Sequence, residues 1–70
     1  MSTDPPLLHI YGQAYWHDDA VIVGNQAALV LLRDALTQAI NEGLHRIGTC
    51  EVYASDGEGY ACHVILAEGW

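Results

Sequence analysis

The fold turns on one stretch, Asn25–Leu44, NQAALVLLRDALTQAINEGL. Between Gln26 and Glu42 it holds neither glycine nor proline, the two residues that most disfavour a helix interior. Asn25 is a good N-cap, because its side-chain oxygen can accept from an orphan backbone N–H one turn on. Gly43 can take the left-handed conformation just past the helix end, and Leu44 supplies the apolar residue that often follows. Start and stop signals therefore agree on a helix over 26–42. Leu29, Leu32, Leu36, Ala39 and Ile40 recur at helical spacing and are expected to face the core. Arg33, Asp34, Thr37, Gln38 and Asn41 fall largely on the outer side.

Working outward, the period changes from helical to two. Upstream, LLHIYGQAYW (7–16) alternates: Leu8, Ile10, Gly12, Ala14 and Trp16 point one way, while His9, Tyr11, Gln13 and Tyr15 point the other. His17, Asp18 and Asp19 interrupt, and AVIVG (20–24) resumes as a β-branched strand. Downstream, GTCEVYAS and YACHVILA read as two more strands around the turn SDGEG. A three-residue loop Ser55–Gly57, with Gly57 left-handed, sets Val52 opposite Tyr60 and Cys50 opposite Cys62.

One helix can cover only one face of a sheet. The expected fold is thus α+β: a two-layer sandwich in ββαββ order, with a four-stranded, mainly antiparallel sheet and the helix on one face. Leu8, Ile10, Ala14, Trp16, Cys50, Val52, Tyr60, Cys62, Val64 and Leu66 are expected on the covered side. Residues 1–6 have no periodicity and end in Pro5-Pro6, so they read as a flexible N-terminal tail before a single domain over 7–70.

Seventy residues make one domain at most. A chain this short buries only about 60% of the surface its unfolded form exposes. A core of that size leaves a net stability of roughly 3–5 kcal/mol unless a partner or staple adds to it. No apolar run approaches the ~18 residues of a membrane span, and the N-terminus has neither the basic nor the long apolar region of a secretion signal. The sequence reads as that of a cytoplasmic protein. Nine acidic residues face two arginines and no lysine, for a formal net charge of −7. Direct nucleic-acid binding needs a basic footprint, and none exists. Acidity could instead serve a basic partner, nucleic-acid mimicry or simple solubility.

Alternation leaves His9, Tyr11, Tyr15, Thr49, Glu51, Tyr53, His63 and Ile65 on the uncovered face. Three tyrosines, two histidines and an isoleucine with few charges make an interface-like composition, since tyrosine is enriched at the buried centre of interfaces. Tyrosines are also ordinary strand formers, so composition alone leaves both readings open. The expected function is a non-enzymatic interaction protein, of inhibitor, immunity or accessory type. Its expected partner-binding residues are His9, Tyr11, Tyr15, Glu51, Tyr53, His63 and Ile65, and its partner a second copy or another protein. The alternative is a small-ligand or metal-binding module using the His, Glu and Tyr residues of the same face.

His17, Asp18 and Asp19 are read as a hairpin turn that could touch a partner. Aspartates cap turns through their own side chains, whereas zinc needs three or four converging ligands. Arg46 is the expected cation for the two carboxylates, on the premise that the hairpin tip and the helix C-terminus share one end. Asp56–Gly59 lacks the calcium-loop and phosphate-loop signatures. Cys50 and Cys62 read as free apolar fillers in a reducing compartment. Glu51 lies diagonally from His63 and could do acid–base work, but no nucleophile, cleft or cofactor motif accompanies the pair. No cofactor is expected.

Overall fold

The computed structural model describes residues 5–68. Its elements are β1 (Leu8–Tyr11), β2 (Val21–Gly24), α1 (Gln26–Glu42), β3 (Ile47–Tyr53) and β4 (Gly59–Ile65). The class is α+β with one helix among the described residues. The strands, however, do not make one four-stranded sheet. They form two separate antiparallel pairs, β1–β2 and β3–β4.

The helix begins and ends where its signals lie. The Asn25 carboxamide oxygen accepts from Ala28 N at 2.9 Å, and Gly43, at φ +98°, donates its N–H to Ala39 O. Asn25 also latches the chain start: its oxygen accepts from Leu7 N at 3.2 Å and its amide nitrogen donates to Pro5 O at 2.8 Å. Pro5 and Pro6 fall within the expected tail, yet Pro6 O accepts from Tyr53 N at 2.8 Å. Residues 1–4 and 69–70 of the expected tail and domain lie outside the described residues.

The buried row of the helix is Ala28, Ala35 and Ala39, with Leu32 half-buried beside it. This corrects the expected leucine stripe: Leu29, Leu36 and Ile40 are exposed. The physical reason is close approach. A Cβ at Gly48 would lie 2.0 Å from Ala35 O and 3.1 Å from Ala39 N, so the helix backbone rests almost on strand β3. Only alanine fits between elements so close, and the leucines rotate to the flank. The remaining core is Leu8, Cys50 and Val52, with Cys62 and Val64 packed against it.

The two strand pairs meet at a single parallel bridge, Leu7↔Tyr53. Upstream of Leu7, Pro5 and Pro6 have no N–H to carry a ladder along β3. Downstream, β1 runs past the end of β3 rather than beside it. The first hairpin therefore overhangs, and the molecule extends 40 × 31 × 18 Å. Leu8 is fully buried, but Ile10, Ala14, Trp16 and Tyr60, all expected on the covered face, are exposed, and Leu66 is half-buried. The first strand stops at Tyr11, and residues 12–20 form a nine-residue loop, which removes Ala14 and Trp16 from any sheet.

The second hairpin follows its expected register. Cys50 faces Cys62, Val52 faces Tyr60, and Gly57 sits at φ +91°. Alternate burial along β3 marks one covered and one open side.

Two substitutions test this packing by denaturant unfolding. Gly48→Ala should cost about 3 kcal/mol or more, because the methyl group meets backbone that cannot yield. Asn25→Ala should cost about 2 kcal/mol, the upper end for a lost cap, because the same side chain also holds Leu7 and Pro5.

Candidate functional site

The open side of β3–β4 carries Ile47, Thr49, Glu51 and Tyr53 on one strand and Gly59, Ala61, His63 and Ile65 on the other. All are exposed. Tyr53 and Glu51 stand opposite Gly59 and Ala61; the Tyr53 ring lies over Gly59, where a Cβ would come 3.1 Å from its Cε1, and a depression of about 240 Å³ adjoins these residues. Thr49 Oγ1 and His63 Nδ1, on directly opposed residues, are 3.0 Å apart, which ties the imidazole across the strand pair.

The first hairpin adds two of the expected residues. His9 Nε2 accepts from Ser55 N at 3.2 Å, so His9 is tied to the turn that follows Tyr53. The His9 and Tyr11 rings stack, with centroids 6.2 Å apart and planes 12° from parallel. His9, Tyr11, Glu51, Tyr53, His63 and Ile65 thus occupy strands as expected.

Tyr15 does not. It lies in the 12–20 loop, where it lines a separate hollow with Gln13, Ala14, Trp16 and His17. The same loop holds His17, Asp18 and Asp19, all exposed. Its turn is closed by backbone, Asp18 N to Tyr15 O at 3.1 Å, and by Gln13 Nε2 donating to Asp18 O at 2.7 Å. The aspartate carboxylates are not its ties. His17, at φ +63°, absorbs the reversal.

The expected pairing of Asp18 or Asp19 with Arg46 is absent. The ion pair among the described residues is Arg33 with its neighbour Asp34, at 3.0 Å on the surface. The cause is topological: β1 starts at the Tyr53 end of β3 and runs on in the same direction, whereas Arg46 precedes Ile47 at the other end. The loop and the 55–57 turn consequently lie towards the same end of β3.

Among the described residues no three His, Cys, Asp or Glu side chains converge into a metal-holding group. Cys50 and Cys62 are free thiols, the first buried and the second half-buried. Burial pushes the Cys50 thiol above its ordinary 9.0, and Cys62 beside it adds to the shift. Burial likewise raises the Tyr60 phenol above its ordinary 10.0. Its hydroxyl donates to Leu8 O and so fastens β4 to β1.

Sequence reasoning missed three features: the Tyr53 depression, the Tyr60–Leu8 tie and the leucine flank of the helix. The first was signalled by Gly59 and Ala61 at the register positions opposite Tyr53 and Glu51. No helix of the described residues is long and apolar enough to cross a membrane. Compared with known proteins, the chain matches no protein-family model, no curated protein and no solved structure.

Both raised groups fold in their protonated form. Their contribution to stability is complete below about pH 9 and lost as pH rises through the raised values. Unfolding free energies measured from pH 7 to 11 should therefore fall on the alkaline side. Tyr60→Phe should make that fall shallower while costing about 1 kcal/mol at pH 7, through the unmade bond to Leu8 O.

Proposed function

We propose that this protein works by binding another protein, not by catalysis, and that the open side of β3–β4 is the surface it uses. The observation that carries the reading is the depression at Tyr53, Glu51 and Ala61, with His63 the next open-side residue along β4. It offers a concave spot beside a tyrosine in a patch whose one carboxylate belongs to Glu51. Interfaces concentrate their energy where an aromatic anchor meets a hollow and water is excluded around it. A side chain of the partner would enter above Ala61, beside the Tyr53 ring that covers Gly59. Glu51 and His63 would then supply the polar contacts that fix its orientation. His9 and Tyr11, tied to the adjacent turn, extend the patch onto the first hairpin.

An inhibitor or accessory protein fits this description. It needs a small rigid platform and no cleft, and the net charge of −7 favours a basic partner and fast encounter. The free thiols of Cys50 and Cys62 are compatible with a cytoplasmic setting.

The test is capture from cell extract on three immobilised baits: wild type, Gly59→Gln and Trp16→Ser, each first shown folded by circular dichroism. Gly59→Gln displaces the Tyr53 ring from its seat over Gly59 and so remakes the depression, whereas Trp16→Ser alters the separate hollow of the 12–20 loop. A protein retained by wild type and Trp16→Ser but lost from Gly59→Gln is the expected outcome. Equal retention on wild type and Gly59→Gln would overturn the open-face reading.

A further inference from the structure

The outer edge of β4 is the longest unpaired strand edge on the described molecule. Ala54 N bonds to Glu58 O across the turn, so the even-numbered residues 60, 62 and 64 exchange bonds with β3. In an antiparallel pair the other residues turn their backbone groups away from the partner strand. Gly59, Ala61, His63 and Ile65 therefore present N–H and C=O groups outward, and among the described residues nothing pairs with them.

Proteins usually protect such an edge with charge, proline or a bulge. This one has none of these: GYACHVI carries no charged residue, although the whole chain carries nine acids. Beside it hangs an apolar helix flank. The helix runs antiparallel to β3, with Ala28 near Leu8 at the Tyr53 end and Ala39 near Gly48 at the other. For L-residues and a right-handed helix, that direction puts the positions about 100° past the buried alanine row over β4. Those positions are Leu29, Leu36 and Ile40, the last 65% exposed. Leu32, between the two rows, is half-buried.

We propose that a second copy of this chain binds here, its β4 pairing antiparallel with the first about a two-fold axis through Cys62. This centre uses every outward group of the strand: Gly59 faces Ile65 of the other copy and Ala61 faces its His63, for about eight backbone bonds. An axis at Ala61 or His63 leaves one of the four residues opposite a turn or the chain beyond the strand. At the Cys62 centre, small residues oppose large ones on the open side, Gly59 with isoleucine and Ala61 with histidine, as cross-strand packing favours. Tyr60 opposes Val64 on the covered side.

The axis stands perpendicular to the sheet, so both helices cover the same face. Each rests on its own β3 with the Leu29, Leu36 and Ile40 flank turned over β4, and neighbouring strands lie about 4.8 Å apart. The two flanks therefore face each other above the paired β4 strands and cover them. The result is a four-stranded sheet under two helices, built from two copies where one copy has only paired strands.

A stable dimer buries about 800 Å² on each partner, and the surface left uncovered here is apolar: Leu29 is 44%, Leu36 43%, Ile40 65% and Ile65 55% exposed. The inference does not rest on the open-face reading. Tyr53 and Glu51 stay free in the dimer, and Gly59, Ala61, His63 and Ile65 are the residues the two surfaces share.

Sedimentation equilibrium tests it on wild type, Ala61→Pro and Ile40→Lys, with folding checked by circular dichroism. The Ala61 N–H points out of the monomer, so proline there removes a bond from the dimer and none from the β3–β4 ladder. Ile40→Lys is a second, fully surface change should proline disturb the strand. Wild type should be dimeric, and each variant should dimerise at least about tenfold more weakly. Diamide supplies an independent readout in Cys50→Ala, which lacks the competing thiol. One Cys62 thiolate adds to the diazene nitrogen and the other copy's Cys62 thiolate displaces it. The products are a disulfide between copies and the hydrazine, which carries the two electrons and two protons. A covalent dimer is expected with Cys50→Ala and not with Cys62→Ala. A wild type that stays monomeric at 100 µM, as an upper working concentration of about that size, would overturn the proposal. So would a dimer unaffected by both variants, or one lost on Tyr53→Glu alone.

Discussion

The rest of the structure depends on the contact between Gly48 and the helix backbone at Ala35 and Ala39. With no side chain at Gly48, α1 comes close enough to β3 that a methyl group there would overlap a carbonyl oxygen. That approach decides which helix residues are inside. Alanines fill the gap, and larger residues at Leu29, Leu36 and Ile40 are turned aside. It also sets the thickness of the core, which rests on Leu8, Cys50 and Val52 with the buried Ala28, Ala35 and Ala39. Such a core buries little apolar surface for the chain entropy it must offset. A partner that covers the displaced leucines would therefore add stability as well as specificity.

The Asn25 side chain is the second organising element. It caps the helix and holds the chain start at Pro5 and Leu7, so the first hairpin and the helix share one anchor. From there Pro6 O engages Tyr53, and Tyr60 reaches back to Leu8. These ties place His9 and Tyr11 next to the turn after Tyr53 without merging the two strand pairs. The open side gains residues from both hairpins, but they are supported by a bridge and a few bonds, not by a shared ladder. The first hairpin is consequently the less firmly held part of the platform, since a two-stranded ribbon alone is marginal in water.

The surfaces proposed for the two kinds of partner differ in chemistry. The open side mixes aromatic, imidazole and carboxylate groups around a hollow, which suits a partner read by shape and hydrogen bonds. The β4 edge and helix flank offer unpaired backbone and leucine, which suit a strand and helix of like kind. Pairing through β4 would leave the Tyr53 hollow repeated on the same broad face, so a dimer would present two such sites together.

Much of this was legible in the sequence. Asn25, the uninterrupted 26–42 run and Gly43 determined the helix, because capping and backbone conformation are local properties. Ser55–Gly57 and the alternation around it determined the β3–β4 register, including Cys50 opposite Cys62, because turn length fixes which residues face each other. The open-side residues of β3 and β4 followed from that register. Tertiary structure alone decided three things. It rotated the helix onto its alanines, because apolar periodicity cannot tell which of two adjacent apolar rows a close-lying strand will accept. It ended β1 at Tyr11 and sent Tyr15, Trp16 and the His17–Asp19 run into a loop, because alternation in a sequence does not guarantee a partner strand. And it kept the two hairpins apart, because the prolines at 5 and 6 and the overhang of β1 past Tyr53 leave one bridge where a continuous sheet needs a ladder.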